Sequence, residues 1–315
     1  MAVLGWALRA LLAIIVSFLL TGCPSASESG LRAVPMPLDP ADAQARDLGR
    51  TQVLSLLRLS APQSWFGGIS GVAWDGDHLM AVSDTGSWLR FRVEADGQGA
   101  AVGVSDLSGG PLHAAGPGKE DGDAEELVAT PDGWLVSFER HHRLWLYPQG
   151  LERPPVALDA PAGMLTLPDN EGVEAAARLA DGRLLLIAEG RGEETGNAAW
   201  IGTPGRWQRL EYARHGLFRP TAAAPLPDGA VLVVERRYTP MGGPAMRLVR
   251  LEPQSLSGPV LRGEELAVLA PPLTVDNFEA LAVRPRADGR LVATILTDDN
   301  FSPLQSTLML TLLLP

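Results

Sequence analysis

Short apolar runs alternate with glycine-containing turns along the chain, and one arrangement of them recurs five times. Each copy has a small or acidic residue, an apolar run, an Asp-Gly dipeptide, a second apolar run and a final acid. Asp-Gly between two apolar runs favours a β-hairpin, because glycine accepts the positive φ of a tight turn. The copies span residues 67–84, 123–139, 170–189, 218–235 and 276–299.

The spacing of these copies predicts the architecture. The positions that align are Ser70, Glu126, Glu174, Thr221 and Glu279, which recur at intervals of 47 to 58 residues. Four-stranded propeller blades take about 40–50 residues plus loops, and a third strand follows most of the hairpins. We therefore predict an all-β chain that forms a β-propeller with five visible blades, and a sixth, degenerate blade stays open. A β-sandwich is the weaker alternative, since it needs no repeated polar positions.

Ring closure is expected to use both ends of the domain. Residues 52–59 read as a strand that joins the last blade, beside the strand that follows the motif "TDDNFSPLQST" near the C-terminus. No segment shows a convincing helical period over about twelve residues. The 315 residues fit one large domain or two small ones, and the continuous repeat favours one.

The N-terminal segment has the layout of a lipoprotein signal peptide. Arg9 precedes a largely apolar run over residues 10–20, too short for a bilayer span, and Leu-Thr-Gly then leads to Cys23. This end resembles a bacterial lipobox, in which the cysteine is lipidated. We predict a signal peptide over 1–22, a lipid anchor and tether over 23–47, and a propeller domain over 48–315. By resemblance to Gram-negative lipoproteins, the absence of Asp after Cys23 favours the outer membrane, facing the periplasm.

The acids of the repeat are expected to converge. In a propeller the first strand of each blade lines the central channel, so Glu126, Glu174 and Glu279 should lie at one height, with Ser70 and Thr221 completing the ring. The second strands end at Asp84, Glu139, Glu189, Glu235 and Asp298. Because the two strands are antiparallel, both sets should emerge at one mouth. Like charges raise each other's pKa, and a Ca²⁺ ion with oxygen ligands removes the conflict.

Two interpretations of these acids stay open: they bind a cation, or each one only caps a strand or faces solvent. Arg219 is the cation expected to enter the mouth, where it binds an anionic group or pairs with a carboxylate.

His141 and His142 are neighbours whose side chains face opposite sides of a strand, so at most one can join Glu139 as a general base. Ser70 lacks the G-x-S-x-G spacing of a hydrolase nucleophile. The net charge of −11 argues against a nucleic-acid partner.

Four stretches together resemble the bacterial family called phytase-like, or "esterase-like activity of phytase". They are "GGISGVAWDGDHLMAVSD", "NEGVEAAARLADGRLLLIAEG", "DNFEALAV" and "TDDNFSPLQST". The resemblance implies a secreted or lipid-anchored propeller that hydrolyses ester or phosphoester bonds. It also implies a fold similar to calcium-dependent phytases, whose acids hold Ca²⁺ ions that bind phosphate. The matching positions here are Glu126, Glu174, Glu279, Asp298 and Asp299. The mouth has few basic residues for a highly anionic substrate, which argues against inositol phosphate.

These observations lead to one functional hypothesis and its alternatives. The leading one is a monomeric, lipid-anchored, calcium-dependent hydrolase acting on a small ester or phosphoester, with Glu174, Glu279 and Arg219 as catalytic residues. In that hypothesis the rim acids bind the metal and Glu174 acts as the base. The alternatives are a non-enzymatic ligand-binding or scaffold propeller of the cell envelope, and a lactonase-type propeller with one Ca²⁺.

Overall fold

The Asp-Gly dipeptides lie at the turns of five antiparallel hairpins, as predicted. The computed structural model describes residues 30–116, 118–190 and 196–315. In three hairpins the turn has the same hydrogen bond: the amides of Gly182, Gly229 and Gly289 donate to the carbonyl oxygen three residues earlier. These glycines have φ of 83° to 88°, a conformation that disfavours residues with a Cβ atom. Turn chemistry therefore fixes where each hairpin reverses.

Three strands precede the first repeat: β1 (Arg32–Pro35), β2 (Asp47–Leu48) and β3 (Thr51–Ser60). Blade 1 contains β4 (Ile69–Asp75), β5 (His78–Ser83), β6 (Ser87–Ala95) and β7 (Ala101–Pro111). A short helix, α1 (Lys119–Gly122), leads into blade 2. Blade 2 contains β8 (Ala124–Thr130), β9 (Gly133–Phe138), β10 (Arg143–Tyr147) and β11 (Val156–Leu158).

One short strand in the blade 4 part of the chain pairs with the sheet of blade 3. Blade 3 contains β12 (Val173–Arg178), β13 (Leu184–Ala188), β14 (Gly196–Thr203) and β15 (Arg206–Ala213). Blade 4 contains β16 (Arg219–Pro225), β17 (Val231–Thr239), β18 (Gly243–Leu251) and β20 (Glu264–Leu269). Between β18 and β20 the chain forms a 3₁₀ helix (Pro253–Ser257) and then β19 (Val260–Leu261), which pairs in parallel with β15 of blade 3.

Blade 5 closes the ring with both ends of the domain. It contains β21 (Phe278–Pro285), β22 (Leu291–Thr297) and β23 (Leu308–Leu313), followed in the sheet by β3 and β1. Strand β23 pairs with β3 so that Leu310 lies opposite Leu56. The innermost strands β4, β8, β12, β16 and β21 contact one another in that order, and β21 contacts β4. The described residues therefore form a five-bladed propeller, and the predicted closure by the N- and C-terminal strands is confirmed.

The hydrophobic core is divided among the blades. Five clusters of buried side chains each lie between two neighbouring sheets; for example, Leu281 of blade 5 packs with Leu232 of blade 4, and Leu127 of blade 2 packs with Val82 of blade 1. Alternate residues of a strand point to opposite faces of its sheet. Both faces of an inner strand are covered, which explains why these strands are apolar runs.

The folded domain begins earlier than the predicted boundary at residue 48. Strand β1 pairs with β3, Leu31 and Leu38 are buried, and the hydroxyl of Thr274 donates to the carbonyl oxygen of Pro37. Residues 31–47 are thus part of blade 5 and its edge rather than a tether. The predicted signal peptide and Cys23 lie outside the described residues. Within the described ranges, no helix is long and apolar enough to cross a bilayer.

Candidate functional site

Each inner strand has a β-bulge near its first residue, on the side where the channel opens. The unpaired bulge residues are Ser70, Glu125, Glu174, Thr221 and Glu279. A bulge adds one residue to a strand and redirects its side chain. The five bulge residues therefore hold equivalent positions around the mouth, in three blades as a glutamate and in two as a hydroxyl residue.

Glu126 does not hold the position predicted for it, because the bulge in blade 2 falls on Glu125. Glu126 lies one residue further along, opposite Ser137, and is 1% exposed. Its carboxylate accepts hydrogen bonds from its neighbour Leu127 N at 2.9 Å and from Ala223 N of blade 4 at 3.1 Å. Burial raises the pKa of Glu126 well above its usual value, against the effect of these amides. Glu126 thus spans the channel and fastens blade 2 to blade 4, away from the mouth.

The ends of the second strands form the other half of the mouth. In four blades the residue after the last paired position is an acid whose amide donates to the chain just before the inner strand: Asp84, Glu139, Glu189 and Asp298. In blade 4 that place belongs to Arg236, since Glu235 pairs with Pro220 and Arg236 with Arg219. The prediction of Glu235 at the mouth is therefore wrong by one residue.

Glu235 lies between blades 3 and 4, where its contacts are structural. It is completely buried, and it accepts hydrogen bonds from the Tyr212 hydroxyl at 2.7 Å and from Arg247 at 2.6 Å. Burial raises the pKa of Tyr212, and the nearby Glu235 carboxylate raises it further. These contacts satisfy both carboxylate oxygens of Glu235 within the protein.

The mouth opens into a cavity of about 770 Å³. Its acidic lining consists of Asp84, Asp123, Glu125, Glu139, Glu174, Asp276, Glu279 and Asp298. Its basic lining consists of Lys119, Arg140, Arg236 and Arg237. The predicted convergence of acids from different blades thus occurs. The cavity lining adds Asp123, Glu125 and Asp276 to the predicted acids, and it does not include Glu126, Glu189, Glu235 or Asp299.

Two groups of three carboxylates are close enough to share a cation. Oxygens of Asp123, Glu125 and Glu139 lie within 4.8 Å of one another, and so do oxygens of Glu139, Glu174 and Glu189. Glu139 belongs to both groups, and Gly172 N donates to its Oε1 at 2.9 Å. Carboxylate oxygens are the ligands that hard cations such as Ca²⁺ prefer. The donor set therefore fits such an ion.

Crowding and burial shift the pKa values of several of these acids upward. Burial raises the pKa of Glu125 well above its usual value, and the carboxylates of Glu174 and Asp123 raise it further. Burial likewise raises the pKa of Glu174, with Glu189 adding to the effect and Arg236 opposing it. A cation bound beside these carboxylates would favour their ionised forms and so oppose the upward shifts of their pKa values.

Basic side chains neutralise part of the charge. Lys119 Nζ lies 2.5 Å from Asp84 Oδ2, and Arg140 Nε lies 2.8 Å from Asp123 Oδ2. Arg219, the predicted cation of the mouth, lies 3.5 Å from Glu189 as an ion pair. Burial lowers the pKa of Lys119, but Asp84 outweighs it, and the net pKa is raised. Lys119 comes from helix α1 and Arg140 from the loop after β9, both outside the repeat, so no periodic pattern could identify them.

The acids of the C-terminal motif have two different environments. Asp298 lines the cavity, and its pKa is raised to about 9 by burial and by the carboxylates of Glu279 and Asp84. Asp299 instead accepts hydrogen bonds from Gly68 N at 2.9 Å and from the Thr307 hydroxyl at 2.7 Å. Asp299 therefore connects the blade 5 loop to the start of blade 1, and it belongs to neither carboxylate group.

The two histidines lie beside the site. His142 is buried, and its Nε2 is 3.1 Å from the carbonyl oxygens of Leu167 and Pro168, which makes it a donor that holds a loop. His141 is exposed and pairs with Asp121 at 3.3 Å. Among the described residues that line the cavity there is no histidine. Ser70 donates to the carbonyl oxygens of Val82 and Ala124, which gives it a structural role between blades 1 and 2.

Comparison with known proteins identifies a family. A family model described as phytase-like, "esterase-like activity of phytase", matches residues 64–301. No curated protein sequence matches the chain significantly. Similar solved structures include a chain of a nidogen–laminin complex, with 12% identity over 89% of this chain and 96% of that chain and a TM-score of 0.46. Myxococcus xanthus glutaminyl cyclase is 10% identical over 85% of this chain and 100% of that one, with a TM-score of 0.45. A Xanthomonas campestris gluconolactonase is 14% identical over 89% and 97%, with a TM-score of 0.42.

Proposed function

Because the chain belongs to the phytase-like family, we propose that it is a hydrolase of ester or phosphoester bonds that depends on a divalent cation, expected to be Ca²⁺. The observation that carries the proposal is the position of Glu139, whose carboxylate belongs to both groups of clustered acids. One shared ligand allows the mouth to hold one ion or two neighbouring ions. Both arrangements lie at the edge of a cavity large enough for a small substrate.

Individual residues have distinct roles in this proposal. Glu139, Glu174 and Glu189 would hold the cation, with Asp123 and Glu125 completing the second group. When bound, the cation would polarise the scissile group and lower the pKa of a coordinated water. Asp298 holds a proton at neutral pH because its pKa is about 9, so it can donate a hydrogen bond or a proton to a leaving oxygen.

Two of the predicted catalytic residues act through neighbours. Arg219 pairs with Glu189 at 3.5 Å and positions a carboxylate of the group formed by Glu139, Glu174 and Glu189. Glu279 pairs with Arg236 at 2.8 Å and holds that guanidinium at the mouth. Both are therefore proposed as positioning residues, while Glu174 is proposed as a ligand of the cation, and burial raises the pKa of its carboxyl above the usual value.

We also propose that the protein is a monomeric lipoprotein of the outer membrane, facing the periplasm and anchored through Cys23. The support is the Leu-Thr-Gly-Cys sequence after the apolar run. Since the folded domain begins near Leu31, the tether between the lipid and the propeller would be only a few residues long. Labelling with radioactive palmitate checks the anchor: wild-type protein should incorporate label and Cys23→Ala should not.

The test of the proposed activity uses a chain that lacks residues 1–23. Residues 31–315 form all five sheets and the cores between them, so this chain keeps every described contact. Melting is measured with Ca²⁺ and with EDTA, and phosphoesters, carboxyl esters and lactones are then screened for turnover. A higher melting temperature in Ca²⁺ together with turnover supports the proposal, and an unchanged melting temperature contradicts the metal site.

A non-enzymatic ligand-binding propeller is the second candidate. It is favoured by the ion pairs of Lys119, Arg140 and Arg236, which neutralise several acids without any metal. Stabilisation by Ca²⁺ with no turnover of any substrate class would favour this candidate. Turnover confined to lactones would instead favour the lactonase-type interpretation.

A further inference from the structure

The cavity at the mouth has two chemically different sides. Blades 2 and 3 contribute the two carboxylate groups already described. The opposite side, formed by blade 4 and by the loops on either side of the first hairpin of blade 5, includes polar residues such as Arg236, Asp276 and Gln305, and it also contributes the apolar part of the lining. That part consists of Tyr238, Pro244, Ala245, Val275 and Leu304. A single molecule bound in this cavity would therefore contact acids at one end and apolar side chains at the other.

The apolar side exists because one hairpin of blade 4 is longer than its equivalents. Strands β17 and β18 stay paired beyond Arg236, through Tyr238 opposite Pro244 to Thr239 opposite Gly243. In blade 1 the equivalent pairing ends at Ser83, and in blade 2 it ends at Phe138, in each case before the acid of the mouth. The extension places Tyr238 beside the cavity as part of a hydrogen-bonded ladder, which holds it in place.

Two of these side chains, Tyr238 on the hairpin and Leu304 on the facing loop, do not pack in the protein interior. Tyr238 is 69% exposed, and Leu304 is 93% exposed. Other large apolar side chains are exposed in the loops of the same face, namely Leu165, Leu217, Met241 and Phe301. The remaining exposed large apolar residues of the described chain are valines in the outermost strands. Apolar exposure in loops is therefore concentrated on the face that carries the mouth, and Tyr238 and Leu304 line the cavity itself, where a ligand would cover them.

We propose that the substrate is an amphiphilic monoester, with an anionic head at the acidic side and an alkyl or aryl group against Tyr238 and Leu304. This inference rests on the proposed function, since it names the substrate class of the same site. Apolar groups gain free energy when they leave water for such a wall. A polyanion such as an inositol phosphate has no apolar part to place there, and its other phosphates would approach further carboxylates of the mouth.

Binding of alkylphosphonates tests this without requiring turnover. Methylphosphonate and octylphosphonate are titrated calorimetrically into the chain lacking residues 1–23, in the presence of Ca²⁺. We expect octylphosphonate to bind at least about tenfold more tightly, which corresponds to ~1.4 kcal/mol, or the burial of about two methylene groups. The double variant Tyr238→Ser with Leu304→Ser should reduce this ratio to nearly one. Both side chains are exposed, so the variant should retain its fold.

Met241→Ser is the matched control. Met241 lies at the tip of the same hairpin and is fully exposed, yet it does not line the cavity. The control should keep the preference for octylphosphonate. Equal affinity for both phosphonates, no binding of either, or a preference that survives the double variant would each overturn the inference. Hydrolysis of esters without any preference for apolar groups would overturn it too, while leaving the proposed function intact.

Discussion

Arg236 Nε lies 2.8 Å from Glu279 Oε1, across the boundary between blades 4 and 5. The same guanidinium lies 3.3 Å from Glu189 of blade 3. Burial lowers the pKa of Arg236, but Glu279, Glu174 and Glu189 outweigh it, so the net pKa is raised. Arg236 is thus a permanent positive charge that replaces the acid found at this position in the other four blades.

Removal of this charge should destabilise the metal-free protein. Arg236→Gln removes the guanidinium that pairs with the buried carboxylates of Glu279 and Glu189, and breaking a buried ion pair costs about 3 kcal/mol or more. We expect a loss of that size in denaturant unfolding at pH 7.5 with EDTA, and a smaller loss with Ca²⁺. The neighbouring Arg237 lies over the Phe218 ring at 5.1 Å, so Arg237→Gln should lose only about 0.5–1 kcal/mol. Equal losses in the two variants would contradict this account of Arg236.

Glu139 should control the response to Ca²⁺, because both carboxylate groups contain it. At a Ca²⁺ concentration 100 times the Kd, binding stabilises the folded state by about 2.7 kcal/mol. Glu139→Gln should remove most of the corresponding rise in melting temperature. Glu126→Gln is the control, since Glu126 is buried in the channel away from both groups. It should keep the Ca²⁺-dependent rise even if its own stability changes, and a rise that is lost in both variants would argue against the assignment.

The stability of the metal-free protein should fall as the pH rises. The pKa of Asp298 is about 9 in the folded state, above its value in the unfolded chain, so the folded state binds the extra proton. Its contribution is fully present below the unfolded pKa of about 4 and is lost as the pH approaches 9. Glu279 and Asp84 raise this pKa further, whereas the amide of Asn300 and the cation Lys119 lower it.

Unfolding free energies measured in EDTA from pH 5 to pH 8.5 check this pH dependence. Wild-type protein should lose stability steadily, and Asp298→Asn should show a flatter profile because it removes one titrating group. Asp299→Asn is a suitable comparison, since Asp299 accepts hydrogen bonds from Gly68 and Thr307 instead of facing Glu279. Parallel profiles for wild type and Asp298→Asn would show that this proton is not the source of the dependence.

Glu235 should matter for stability and not for the metal. Glu235→Ala leaves Arg247 and Tyr212 without their shared acceptor between blades 3 and 4, for an expected loss of about 3–5 kcal/mol. Glu265 pairs with the same Arg247 at 2.7 Å but is 46% exposed, so Glu265→Ala should lose less than about 1 kcal/mol. Calorimetric melting of both variants, with and without Ca²⁺, tests this. A smaller Ca²⁺-dependent rise in melting temperature in Glu235→Ala would contradict this account and indicate that Glu235 contributes to the metal site.

The amino-acid sequence by itself determined the architecture. The Asp-Gly turns and the spacing of the apolar runs predict the hairpins and a propeller with five visible blades, with a sixth left open, and residues 52–59 are predicted as the closing strand. These features are local or periodic, so they can be recognised without knowing which strands are neighbours. The convergence of Glu174, Glu279, Glu139 and Asp298 follows from the same periodicity, because equivalent residues of equivalent blades lie at one height.

Only the tertiary structure decided which residues of blades 2 and 4 lie at the level of the channel mouth. The bulge at Glu125 moves Glu126 into the channel, and the pairing of Pro220 with Glu235 gives the mouth position to Arg236. A bulge changes the pairing by one residue and leaves the apolar pattern almost unaltered, so an alignment of repeats does not detect it. Lys119 reaches the mouth from helix α1, Arg140 from the loop after β9, and Tyr238 on an extended hairpin. Their positions depend on contacts between blades, which no periodic pattern encodes.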